Sequence, residues 1–203
     1  MTGKYFRKPT AAEMADGRIP PGQHLAKGFP ILTYGDAPDV RTETWSLKLW
    51  GELDGGDCDL SWADLMAMPQ VTLTADFHCV TRWSKLDVQW MGVKLTDICD
   101  RVQLSSRAQY VMQHCYGGYT TNLPLAEFLR PDTYLVHSLN GEPLPRDRGG
   151  PARTLVPHLY AWKSAKWISG FEFLTQDAPG FWERNGYHRR GDPWAEERYS
   201  GGF

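Results

Sequence analysis

The run VTLTADFHC, Val71 to Cys79, decides what kind of fold this chain builds. Val71, Leu73, Ala75 and Phe77 alternate with Thr72, Thr74 and Asp76. A period of two is the mark of a strand with one buried face. One further step puts Cys79 on the apolar face and His78 on the polar one. The continuation VTRWS, residues 80–84, sets an arginine, a tryptophan and a serine just behind the thiol. A thiolate at such a strand-to-loop junction serves as a nucleophile, a redox thiol or a metal ligand.

Outward from this run, short elements follow one another. Trp45, Leu47 and Leu49 alternate with Ser46 and Lys48, which predicts a strand, and Gly55-Gly56 turns the chain after it. Ser61 and Asp64 have the capping-box spacing of a helix start, and Pro69 follows its end. Further helices are predicted over 96–102 and from Pro124 to the Arg130-Pro131 stop. Strands are predicted at Tyr110–Cys115, at Tyr134–Leu139 before an Asn140-Gly141 hairpin signal, and over 153–156 and 166–175. Many short strands with two or three short helices predict an α+β class: a strand-rich mixed-sheet domain over residues 1–203. The polar, Pro/Gly-rich residues 1–24 read as an N-terminal arm, and the aromatic, aperiodic residues 177–203 as a wrapping tail.

A chain of 203 residues with 41% apolar and 23% charged residues has the balance of a soluble globular protein. A net charge of -2 gives no general attraction to nucleic acid or acidic membranes. No segment approaches the ~20 apolar residues of a membrane span. Nine Trp suggest deep, rigid packing and a buried prosthetic group. Cys58, Cys79, Cys99 and Cys115 form no CxxC pair, which favours a reducing compartment over a disulfide scaffold. With no apolar leader in the first residues, a cytoplasmic location is expected.

Taken alone, Cys79 has the ordinary reading of a buried structural cysteine. Its polar company of His78, Thr81, Arg82 and Ser84 favours a thiolate instead, because a nearby arginine lowers a thiol pKa. The dipeptides His78-Cys79 and His114-Cys115 invite a zinc site. Neighbouring strand residues face opposite ways, however, so one dipeptide does not easily give both ligands to one tetrahedral ion. A Cys-dependent hydrolase pairing Cys79 with His78 or His114 stays open. The segment RDRGGPARTLVPHLYAWKSAKW, residues 146–167, gathers Arg146, Arg148, Arg153, Lys163 and Lys166. Gly149 and Gly150 let backbone N–H groups approach an anion. A solvated charge run is the common reading of such a stretch. Interleaved Pro157, Tyr160, Trp162 and Trp167 suit an anionic, ring-bearing ligand better. There is no Walker A motif and no GxGxxG, which argues against an ordinary nucleotide site.

Four stretches in one order carry a family resemblance: DFHCVTRWS (76–84), YGGYTTNLPL (116–125), GGPARTLVPHLYAWKSAKW (149–167) and GFWERNGYHRRGDPW (180–194). PPGQHLAKGFPILTYG, from Pro20, precedes them. The chain resembles the sulfite-oxidase-like molybdopterin-dependent oxidoreductases, above all the small stand-alone bacterial members without a haem domain. The resemblance implies that family's strand-rich α+β catalytic domain. It also implies a molybdenum cofactor, the metal being held by molybdopterin, a pyranopterin dithiolene. The activity implied is two-electron oxygen-atom transfer to or from a small substrate.

By the same resemblance Cys79 is the molybdenum ligand, and Arg82 adds positive charge near the metal. Arg153, Lys163, Ser164 and Lys166 match positions that hold the pterin and its phosphate. Thr33 and Tyr34 match an N-terminal pterin-contacting segment. Arg148 stands where relatives often have His or Asn. Cys115 stands where a Ser or Thr commonly lies near the cofactor, as a pocket residue and not a second metal ligand. VTRWS departs from the sulfite oxidases proper, so sulfite specificity does not carry over; the family also includes enzymes that reduce sulfoxides. No haem or flavin motif is recognisable, which implies a separate electron-transfer partner. A non-catalytic pterin-binding module is the remaining alternative.

Overall fold

The computed structural model describes residues 4–201. In chain order its strands are β1 (Phe6–Arg7), β2 (His24–Ala26), β3 (Ser46–Gly51), β4 (Cys58–Ser61), β5 (Val71–Cys79), β6 (Trp83–Lys94), β7 (Tyr110–Cys115), β8 (Thr120–Pro124), β9 (Tyr134–Leu139), β10 (Glu142–Pro143), β11 (Arg153–Leu155) and β12 (Ile168–Leu174). The α-helices are short: α1 (Ala11–Ala15), α2 (Trp62–Ala67), α3 (Leu95–Cys99), α4 (Leu125–Phe128) and α5 (Phe181–Arg184). Single 3-10 turns lie at Arg146–Arg148 and Ala161–Lys163.

The strands form two mixed sheets. The seven-stranded one runs β1-β2-β6-β9-β10, with β5 on the other side of β6 and β11 also paired to β9. The five-stranded one runs β4-β3-β12-β7-β8. Parallel pairing occurs between β2 and β6 and between β3 and β12; the other pairs are antiparallel. Val93 and Leu135 of the first sheet share one buried cluster with Leu47, Val111, Phe171 and Phe173 of the second. A second cluster of Phe77, Trp83, Trp90, Tyr160 and Trp162 lies around the end of β5. This aromatic cluster supports the site.

Local chemistry accounts for most boundaries. Ser61 caps α2: its hydroxyl accepts from Asp64 N, while the Asp64 carboxylate accepts from Ser61 N at 2.8 Å. Asn140 and Gly141 both take positive φ, 52° and 85°, as a tight hairpin between β9 and β10 requires. The alternation in β5 survives a bulge after Ala75, and Cys79 pairs with Trp83.

Several elements depart from the sequence reading. The twelve-residue β6 has no counterpart there, because Asp87 (φ 56°) at the bulge and Gly92 interrupt its alternation. Gly92 lies so close to β9 that an added Cβ would meet Leu135 O at 2.1 Å. Strand β8 and helix α5 were likewise not expected. The N-terminal residues do more than lie over the surface: β1 and β2 extend the first sheet, and Arg18 bridges Asp76 and Asp87 at 2.7 and 2.6 Å.

Candidate cofactor site

Cys79 ends β5 and opens a three-residue turn to β6. Arg82 closes that turn at φ 69°, the left-handed position such loops call for, and its N–H donates to Cys79 O at 3.1 Å. Phe77 and Cys79 face one side and line a cavity of about 360 Å³. His78 faces the other side, with Nδ1 2.8 Å from Ser84 Oγ and its ring 5.1 Å from that of Trp194. The polar face expected for His78 is therefore roofed by the tail. Cys79 Sγ lies 3.1 Å from Thr81 Oγ1. Burial pushes the Cys79 thiol pKa up, and the Thr81 hydrogen bond and the Arg198 charge draw it down.

Three cations open onto the same cavity. Arg153 is 4% exposed, with its guanidinium directed by the carbonyls of Arg148 (3.0 Å), Ser164 (2.7 Å) and Thr154 (3.3 Å). It lies 5.2 Å over the Phe77 ring. Arg148 donates to Phe29 O at 2.6 Å and sits 4.6 Å over the Phe29 ring. Lys166 donates to Leu32 O, Thr33 Oγ1 and Asp147 O at 3.0, 2.9 and 2.8 Å. Among the described residues, no carboxylate forms an ion pair with any of the three. Burial, and then the neighbouring cations, pulls Lys166 down to about 7; burial and then Arg148 pull Arg153 down to about 10. Cations gathered this way are suited to an anion, which would oppose the lowering of their pKa values.

Phe29 to Tyr34, in a strap at residues 28–40, and Trp182 of α5 line the cavity. No backbone–backbone hydrogen bond among the described residues ties this strap down. Side chains hold it: Arg148 at Phe29, Lys166 at Leu32 and Thr33, and Arg146 at Ala37 and Pro38. Tyr34, 71% exposed, reaches across to Phe181 (4.7 Å) and Trp182 (5.9 Å). Inside, the Trp182 and Tyr187 rings stack at 4.9 Å, and Tyr187 meets Trp162 edge-on at 5.1 Å. Trp162 is fixed from behind, because Glu183 Oε1 accepts from its indole N–H at 2.9 Å.

The family model described as "Oxidoreductase molybdopterin binding domain" matches residues 34–182. The chain belongs to this family. It is 45% identical over 197 residues to the uncharacterized oxidoreductase YuiH of Bacillus subtilis, covering 97% of this chain and 98% of that one. It is 26% identical to the mitochondrial sulfite oxidase of Rattus norvegicus, over 74% of this chain but only 33% of that longer one. Among solved structures, the sulfane dehydrogenase SoxCD from Paracoccus pantotrophus shares the fold with a TM-score of 0.65 at 17% identity, over 74% of this chain and 42% of that one.

As a sulfite-oxidase-like molybdopterin oxidoreductase, the chain is an enzyme whose cofactor is molybdenum held by molybdopterin. The residues present fit that group. A soft thiol, aromatic walls and three cations without carboxylate partners share one cavity. Among the described residues no three His, Cys, Asp or Glu side chains form a metal cluster. A metal at Cys79 would therefore take its other ligands from the cofactor.

Cys79, Thr33, Tyr34, Arg148, Arg153, Ser164 and Lys166 all line the cavity. Ser164 also caps Val156 N with its hydroxyl at 2.9 Å. Three expected side chains lie elsewhere. Lys163 turns away into a buried pair with Glu183, because Asn122 and Glu183 offer it acceptors in the interior. Cys115 packs into the large core cluster. Arg82 is exposed, its guanidinium lying over Gly22, because the turn directs it outward. Thr81, read as polar company of Cys79, lines the cavity, and so do Trp182 and Tyr187, which had not been singled out. Neither candidate base touches the thiol either: His114 pairs with Glu172 at 2.8 Å and His78 with Ser84. That geometry removes the support for a Cys-His hydrolase.

Proposed function

We propose that Cys79 is the protein's ligand to molybdenum, and that the enzyme transfers an oxygen atom, with two electrons, to or from a small sulfur-containing substrate. The observation that carries this reading is that Cys79 shares its cavity with Arg148, Arg153 and Lys166, far apart in sequence. The cofactor, when bound, supplies the redox and oxygen-transfer chemistry. The protein's own groups bind and orient. Arg148, Arg153 and Lys166 hold the phosphate and pterin by charge-assisted hydrogen bonds, with Thr33, Tyr34 and Ser164 beside them. Cys79 gives up its proton on ligation, and the Thr81 hydroxyl steadies the sulfur. The walls of Trp162, Trp182 and Tyr187 exclude water and face the apolar part of a substrate.

A sulfur substrate is supported by the named activities of sulfite oxidase and sulfane dehydrogenase among the similar proteins. Electrons pass to or from a separate partner protein. Four free cysteines support a reducing, cytoplasmic setting, and no described helix is long and apolar enough to cross a membrane. Metal analysis of protein made with an intact cofactor pathway tests the reading. About one Mo per chain is expected; a folded protein without Mo, or a Cys79→Ser variant with unchanged redox turnover, overturns it.

A further inference from the structure

We propose that Arg198, assisted by Gln23, is a positioning residue for the Cys79 thiol, acting through the turn that carries it. The inference rests on the reading of Cys79 as the molybdenum ligand. Three carbonyls of the turn are gripped from outside the hairpin. Gln23 Nε2 donates to Cys79 O at 3.1 Å, the Arg198 guanidinium to Val80 O at 2.5 Å, and His24 N to Arg82 O at 3.0 Å. Gln23 and Arg198 are both buried.

Arg198 also lies 4.9 Å over the Tyr160 ring, which in turn stacks on Trp162 of the cavity wall. Among the described residues its one ion-pair partner is the exposed Glu196 at 3.6 Å. A buried guanidinium so lightly paired with acid makes its shortest hydrogen bond to a backbone carbonyl one residue beyond Cys79. Charge-assisted bonds of this kind are short and directional. A hairpin turn without such a grip can rock about its two strands, and the sulfur rocks with it. Groups that orient a metal ligand from behind commonly change metal retention by about tenfold or more when removed.

The test uses the loaded enzyme and two readouts: the Mo(V) electron paramagnetic resonance spectrum after dithionite reduction, and the rate of Mo loss on dialysis against a chelator. Arg198→Gln should give a heterogeneous spectrum and Mo loss about tenfold faster than wild type. Arg198→Lys, which still places a cation near Val80 O, should recover most of both. Gln23→Leu should shift both in the same direction to a smaller degree. Leu123→Ala, a remote core truncation, should lower stability and leave the spectrum alone. A wild-type spectrum in Arg198→Gln overturns the inference, as does an equal change in Leu123→Ala. Should Arg198→Gln fail to fold, an unchanged Gln23→Leu spectrum overturns it. A Cys79→Ser enzyme with the wild-type spectrum overturns the ligand reading itself, and this inference with it.

Discussion

Lys163 Nζ stands 2.6 Å from Glu183 Oε1, with both side chains at 0% exposure. The same oxygen accepts from Thr121 Oγ1 and from the Trp162 indole, both at 2.9 Å. One carboxylate thus joins α5 to a wall of the cavity. Breaking a buried pair from one side strands a charge, at a cost of roughly 3–5 kcal/mol. Lys163→Met should therefore lower the unfolding free energy by about that amount in urea titrations, and Lys163→Met/Glu183→Gln should recover part of it. A single variant as stable as wild type would contradict the pair's role.

Lys166 should behave in the opposite manner. Its three donors reach only neutral oxygens at the cavity edge, so Lys166→Met should leave the fold intact. Cofactor affinity should fall by about 1.5–3 kcal/mol, roughly ten- to a hundredfold, on loss of one charged hydrogen-bond donor. Pterin content, read by fluorescence of its oxidised form, checks this. The Cys79→Ser variant should retain much of its pterin, since the anchoring groups lie elsewhere.

The depressed pKa of Lys166 also fixes a pH trend for cofactor-free protein. Folded, the ammonium titrates near 7; unfolded, near its ordinary 10.5. Between those values the unfolded chain holds more protons, so stability rises with pH. Below that window the buried charge costs its full amount, and the cost fades as pH climbs through it. Melting temperatures of wild type relative to Lys166→Met should therefore improve from pH 7 towards pH 10. A flat difference would show that the lysine is not desolvated.

Arg82→Gly should be well tolerated. The φ of 69° suits glycine, and the arginine side chain does not line the cavity. Cofactor content and turnover should stay within about twofold of wild type, roughly 0.5 kcal/mol. A tenfold loss of turnover with cofactor still bound would return Arg82 to the active site.

How far the sequence carried differs from place to place for physical reasons. The capping box at Ser61, the Asn140-Gly141 turn and the alternation into Cys79 are local codes, and the folded chain follows them. Strand β6 was illegible because its pattern is broken by Asp87, which answers to Arg18, and by Gly92, which answers to the backbone of β9. Both reasons lie in distant partners. Lys163 and Lys166 look alike on paper, three residues apart in one basic run. Only the tertiary positions of Asn122 and Glu183 decide that one is a strut and the other faces the cavity. Likewise Trp182 and Tyr187 sit in an aperiodic tail, where no pattern separates a wall residue from a surface one.

Trp182 and Tyr187 wall the pocket, with Glu183 and Arg198 behind that wall, yet the pocket is built on a hairpin at Cys79 and a strap at Thr33. During synthesis the hairpin and strap leave the ribosome long before those four residues do. A growing chain therefore presents its thiol and its cations without the wall that would keep a pterin between them. The wall that would keep a pterin in place is therefore made after every group that would anchor one.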